Sequence, residues 1–174
     1  MIKDPLMRNF LLTIEYDGTD FFGWQRQPDR PTVQGTIEAA LATVLGKKIQ
    51  INGTSRTDAG VHAYGQRASF QADLPLPVDK LALVLNHRLS AKRGGPIRIL
   101  KAEEKPLDFH ARFNAKGKRY LYKIATAEET DLFRRNYYCR TIYRDDNRDS
   151  VQIRDTGVRR FRFCVRNTHT LCNS

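Results

Sequence analysis

Between residues 10 and 103 the chain alternates two kinds of apolar pattern, and their order limits the fold more than any other feature. Residues 10–16, Phe-Leu-Leu-Thr-Ile-Glu-Tyr, suit a buried strand that stops at the turn Asp17-Gly18. Thr32 then stands where a helix cap belongs, Val33, Ile37, Leu41 and Val44 recur as one stripe, and Gly46 occupies the closing position. Strands are expected over 48–53 and 63–71. A second helix begins near Pro77, carries Leu81, Val84, Leu85 and Leu89, and stops before Gly94-Gly95-Pro96. A fourth strand runs from Ile97 to about Glu103. The order β-α-β-β-α-β predicts a ferredoxin-like split unit, an α+β fold in which two helices cover one face of an antiparallel sheet. Such a fold implies no function by itself.

From residue 105 the pattern changes, so the chain divides into a first region, 1–104, and a second, 105–174. Lys118 to Ile124 alternates as a strand does, with Tyr120 and Tyr122 on one face, and Asn136 to Tyr143 is its expected partner. Residues 144–160 show neither period and are expected to be irregular.

The 174 residues are 40% hydrophobic, enough for an ordinary core. No apolar run approaches the roughly twenty residues that cross a membrane. The N-terminus lacks the pattern of a signal peptide, so a soluble cytoplasmic protein is expected. Cys139, Cys164 and Cys172 are odd in number and read as reduced thiols. Cys164, His169 and Cys172 form a lone cluster without a convincing fourth ligand, and no metal site is assigned.

Charge points to a partner. The 30 Lys and Arg residues against 19 Asp and Glu give +11, the balance of a protein that meets a polyanion. Basic residues at Arg88, Lys92 and Arg93, and again at Arg112, Lys116, Lys118 and Arg119, are interleaved with Phe109, Phe113, Tyr120 and Tyr122. Rings beside cations favour RNA, whose exposed bases stack on them. The competing reading is a basic surface that serves only solubility.

The most specific chemistry lies in residues 53–66, Gly-Thr-Ser-Arg-Thr-Asp-Ala-Gly-Val-His-Ala-Tyr-Gly-Gln. In an extended segment residues two apart project to one side, so Arg56 and Asp58 can share a pocket. Ala59 and Gly60 let the backbone bend and a substrate approach. A guanidinium close to Asp58 would hold its carboxylate ionised. A single carboxylate so placed suits a nucleophile, whereas an isolated Arg-x-Asp is more often a solvated ion pair on a turn.

These segments together resemble the TruA family of tRNA pseudouridine synthases. The resemblance rests on Tyr16-Asp17-Gly18-Thr19, Phe22-Gly23-Trp24-Gln25, Val33-Gln34-Gly35, Ser55 to Gln66, Phe109-His110-Ala111-Arg112-Phe113 and Lys118-Arg119-Tyr120, in the family's order. It covers about residues 8–140; Ser55 replaces a glycine common in the family. The resemblance implies isomerisation of uridine to pseudouridine in the anticodon stem-loop of tRNA, without a cofactor. It places the catalytic carboxylate on Asp58, the residue that fills the gap left by the flipped base on Arg56, and the ring that packs on the uracil on Tyr120. Tyr64 and Gln66 are candidate pocket residues. For His62 two readings stand, an RNA contact or a structural histidine beside the turn. Trp24 reads as a core anchor or a nucleotide contact, and Gly18, Gly23 and Gly35 as backbone devices.

The family continues into a second half that closes the cleft and supplies another arginine, and most of that half has no counterpart before Ser174. The second region is therefore expected to be an incomplete second half of the synthase fold. The family also implies a homodimer, here only if the second half is not required for that contact. An RNA-binding module that keeps the fold without turnover is the alternative, and a fragment without a stable fold is a third.

Overall fold

The computed structural model describes residues 7–90, 94–121, 123–125 and 132–140. Lys92, Arg93, Tyr122 and the expectations on residues 141–174, including Cys164, His169 and Cys172, lie outside the described residues. The chain forms two compact units, Met1–Lys116 and Gly117–Ser174.

The first unit contains β1 (Met7–Tyr16), α1 (Val33–Leu45), β2 (Asn52–Gly53), β3 (Ala63–Asp73), α2 (Val78–Arg88) and β4 (Ile97–Lys105). They build one antiparallel sheet of order β2-β3-β1-β4, together with two helices. The even-numbered side chains of β1, Phe10, Leu12, Ile14 and Tyr16, enter one core with α1 residues Val33, Ile37 and Leu41 and α2 residues Leu81 and Leu85. Phe10 and Phe70 are directly opposed across β1 and β3, and their rings stack at 5.3 Å. Each fully buried leucine in this cluster stabilises the fold by about 2 kcal/mol relative to exposure.

The helix boundaries follow local chemistry. Thr32 is extended and its hydroxyl accepts the Gly35 N–H, while Gly46, at φ 68°, donates its N–H to Ala42 O. At α2, Pro77 precedes the first turn without a side-chain cap; Asp79 in that turn and His87 and Arg88 in the last one complement the helix dipole.

Two strands depart from expectation. Only Asn52–Gly53 of the expected 48–53 forms a ladder. The cause lies one residue earlier: Ile51 donates its N–H to Glu38 Oε1 at 3.0 Å and accepts from Gln34 Nε2 at 3.1 Å, so helix side chains occupy the groups a ladder would need. β3 carries a bulge where its partners shift from Gln66 to Ala63. The bulge interrupts the alternation, so Ala63 packs on the core while Tyr64 is 64% exposed.

The opposite face of the sheet holds residues 106–111. Asn9 is buried and donates to Pro106 O and Phe109 O, both at 2.8 Å. Gln71 Nε2 donates to Leu107 O, Ser69 Oγ accepts the Ala111 N–H, and Thr54 Oγ1 donates to Ala111 O. Those bonds make this segment part of the first unit.

In the second unit, β5 (Ile124–Ala125) pairs with β6 (Cys139–Arg140) in parallel register. The strand expected from Lys118 is regular only at its end, because alternation makes a ladder only where a partner strand supplies hydrogen bonds. Lys123 Nζ lies 6.0 Å from the centre of the Tyr138 ring.

Candidate active site

The string that carries Asp58 forms the loop between β2 and β3, and the segment after β1 holds it. Trp24 donates its N–H to Thr57 O at 3.0 Å, and Gly60 donates to Phe21 O at 3.2 Å. Within the loop, the Val61 N–H returns to Asp58 O at 3.2 Å, closing a turn whose third residue, Gly60, has φ 77°. Positive φ there is the condition for glycine at that turn position.

Glycines permit this close approach. A Cβ on Gly18 would lie 2.0 Å from Val61 O, and one on Gly23, at φ 87°, would lie 2.6 Å from Thr57 O. At the entrance to the loop, a Cβ on Gly53 would strike the Trp24 indole at 2.5 Å. Trp24 is 2% exposed and lies 6.1 Å from the Tyr16 ring, which makes it a core anchor.

Side chains complete the clamp. Gln66 is buried and donates to Ser55 O at 2.6 Å, so it braces the loop from below. His62 Nδ1 accepts the Gly18 N–H at 3.1 Å and lies 3.0 Å from Asp17 Oδ1, which also takes the Thr19 N–H and hydroxyl. In this arrangement the imidazole joins the turn after β1 to the Asp58 loop. The buried Tyr16 hydroxyl and Thr57 Oγ1 are 2.8 Å apart, one donating to the other. Burial pushes the Tyr16 hydroxyl up to about 12, with the Thr57 hydrogen bond acting in the opposite direction.

Arg56, Asp58 and Ala59 remain exposed on this frame. The expected ionic contact between Arg56 and Asp58 is absent: among the described residues no ion pair includes either side chain. The backbone on both sides of Asp58 is tied inward, which leaves its carboxylate to solvent. Chemically this is an exposed carboxylate carried on a tethered backbone. Tyr64 is exposed beyond the bulge. Tyr120 is half-buried and belongs to the second unit.

A polar network beside α1 carries no sequence-based expectation. Glu38 is 7% exposed and accepts from Arg26 Nη1 at 2.8 Å, Gln34 Nε2 at 2.9 Å and the Ile51 N–H. Gln34 Oε1 in turn accepts the Arg26 N–H. Two polar residues four apart beside an apolar stripe are the readable sign of such a network. Tyr16 was legible as the last residue of a strand and as the first of the motif Tyr16-Asp17-Gly18-Thr19, without a contact to the Asp58 loop.

Among the described residues no helix is long and apolar enough to cross a membrane, and no group of three or more His, Cys, Asp or Glu could hold a metal ion. The model of the tRNA pseudouridine synthase family matches residues 12–114. Over 131 residues the chain is 48% identical to tRNA pseudouridine synthase A of Caldicellulosiruptor bescii, covering 75% of this chain and 52% of the relative. It is 42% identical over 155 residues to tRNA pseudouridine synthase A of Halalkalibacterium halodurans, covering 86% and 57%. Similarity to tRNA pseudouridine synthase A 2 of Bacillus cereus is 48% over 132 residues, covering 75% and 52%. The chain thus spans about half the length of the curated relatives it matches. The matched region takes in the sheet from Leu12 of β1 onward, both helices and the clamped loop, and on that ground the chain belongs to the tRNA pseudouridine synthase family.

Proposed function

We propose that this chain acts on tRNA, isomerising uridine to pseudouridine in the anticodon stem-loop with Asp58 as the nucleophile. The observation that carries the proposal is the exposed Asp58 between neighbours whose backbone is fixed, within a region matched by the family model. The sheet order β2-β3-β1-β4 and the β-α-β-β-α-β connection support a ferredoxin-like reading of the first unit.

The target nucleoside leaves its stack at a cost of a few kcal/mol. Arg56 fills the vacancy, and Tyr120 packs on the extruded uracil, a contact worth about 1–3 kcal/mol. The Asp58 carboxylate forms a transient bond to the nucleoside, at the sugar or at the ring. The N1–C1′ bond breaks, the uracil turns, C5 bonds to C1′ as the carboxylate is released, the C5 proton passes to solvent, and N1 takes up a proton from solvent. Product and substrate are isomers, so the step consumes no redox partner or cofactor. His62, Tyr64 and Gln66 shape the loop and its surroundings. The net charge of +11 supports contact with the phosphate backbone. A cytoplasmic location and a homodimer with tRNA lying across both subunits complete the proposal.

Release of tritium from C5-labelled uridine in tRNA tests the assignment. Release by the parent chain that disappears in Asp58→Asn supports turnover. Tight tRNA binding with no release favours instead an RNA-binding module without catalysis.

A further inference from the structure

We infer that Tyr16 is a positioning residue for Asp58, acting through Thr57; this rests on Asp58 being the nucleophile of the proposed reaction. Thr57 is the residue immediately before Asp58, and it is held at two points. Its carbonyl accepts the Trp24 N–H at 3.0 Å, and its hydroxyl lies 2.8 Å from the Tyr16 hydroxyl. The carbonyl of Thr57 belongs to the peptide plane that leads into Asp58, so holding it places the Asp58 Cα and restricts where its side chain can depart.

The two anchors come from opposite ends of the segment that packs under the loop. Tyr16 is 3% exposed and ends β1, the strand paired on both sides by β3 and β4. Trp24 is 2% exposed, and its ring rests against Gly53 and Tyr16. Both anchors are therefore set in the core, whereas Arg56, Asp58 and Ala59 around Thr57 are exposed. Among the described residues, the Tyr16 hydroxyl is the only side-chain group that bonds the Thr57 side chain.

A buried hydroxyl without a partner is costly, so the Tyr16 and Thr57 hydroxyls hold one another in place. Burial favours the protonated tyrosine, so the hydroxyl facing Thr57 keeps its proton. Catalytic geometry is sensitive to displacements of about 1 Å, and such a shift lowers turnover by up to about 100-fold without contact to substrate.

The test compares the parent chain with Tyr16→Phe, Thr57→Val, the double variant and Thr57→Ser. Three quantities are read: the single-turnover rate constant for pseudouridine formation in a tRNA transcript, the Kd for that transcript, and amide hydrogen exchange in the free protein. Tyr16→Phe and Thr57→Val are each expected to lower the rate constant about tenfold with Kd within about twofold. The double variant should fall no further than the worse single one, and Thr57→Ser should recover most of the loss seen in Thr57→Val. Exchange at Trp24, Gly60 and Val61 should quicken in Tyr16→Phe while that of β1 and β3 stays unchanged. A Tyr16→Phe rate within about twofold of the parent overturns the inference, as do losses that multiply in the double variant. A parent that binds tRNA without turnover sinks the proposed function instead, and exchange then decides: unaltered protection of those three amides in Tyr16→Phe overturns the positioning role.

Discussion

Asn86 spans the backbone of Ile99 with both ends of its amide: Nδ2 donates to Ile99 O at 2.8 Å and Oδ1 accepts the Ile99 N–H at 2.7 Å. Ile99 belongs to β4, which stands at one edge of the sheet. Free N–H and C=O groups on an edge strand are templates for pairing with another chain, and α2 occupies this pair through Asn86. Asn86→Ala should therefore lower unfolding stability by about 1–3 kcal/mol and raise concentration-dependent association. Chemical denaturation and light scattering check the two effects.

Glu38 brings α1, Ile51 and Arg26 to one buried carboxylate. Glu38→Ala strands the Ile51 N–H and one Gln34 donor, and an expected loss of about 2–3 kcal/mol follows from leaving them without partners. Arg26→Ala should cost less than about 1 kcal/mol, because the arginine side chain is 56% exposed. Urea midpoints of the two variants give the comparison.

Gly23 combines a φ of 87° with a Thr57 carbonyl where a Cβ would go. Gly23→Ala should destabilise the chain by at least about 2 kcal/mol, from strain in the left-handed region together with overlap. Gly117→Ala has open space around it, and its effect should stay within about 0.5 kcal/mol. Thermal melting distinguishes them.

Tyr16 makes stability depend on alkaline pH. Its hydroxyl is raised to about 12 in the fold, above the value near 10 of an unfolded chain. The folded state thus holds the proton more tightly; that contribution is complete below about pH 10 and is lost as pH rises towards about 12. A shift of this size corresponds to about 3 kcal/mol at most. Stability of Tyr16→Phe should decline less over this window, as denaturant titrations at stepped pH would reveal.

Asp58 is exposed and takes part in no ion pair among the described residues. Asp58→Asn should shift unfolding stability by no more than about 0.5 kcal/mol while removing turnover. Calorimetry beside the tritium assay checks that separation.

Both helices were legible, and so were the caps of α1, because each is specified locally, by Thr32 and Gly46 around one apolar stripe and by Pro77 ahead of another. β2 was overdrawn because side-chain pattern does not reveal that Glu38 and Gln34 take the Ile51 peptide groups, a contact between residues 13 and 17 positions apart. The Asp58 loop was legible as a string of residue types. Its clamp was not, since Tyr16 and Thr57 lie 41 positions apart and only the fold brings their hydroxyls together. Arg56 and Asp58, two apart in the string, are both exposed, and among the described residues neither takes part in an ion pair.

Gly18 and Gly23 leave room for one particular backbone to lie across them. Transplanting residues 54–62 alone into another scaffold would carry the Asp58 carboxylate without its bearings. Residues 16–24 would have to travel with it, and random drift in either stretch is constrained by the other.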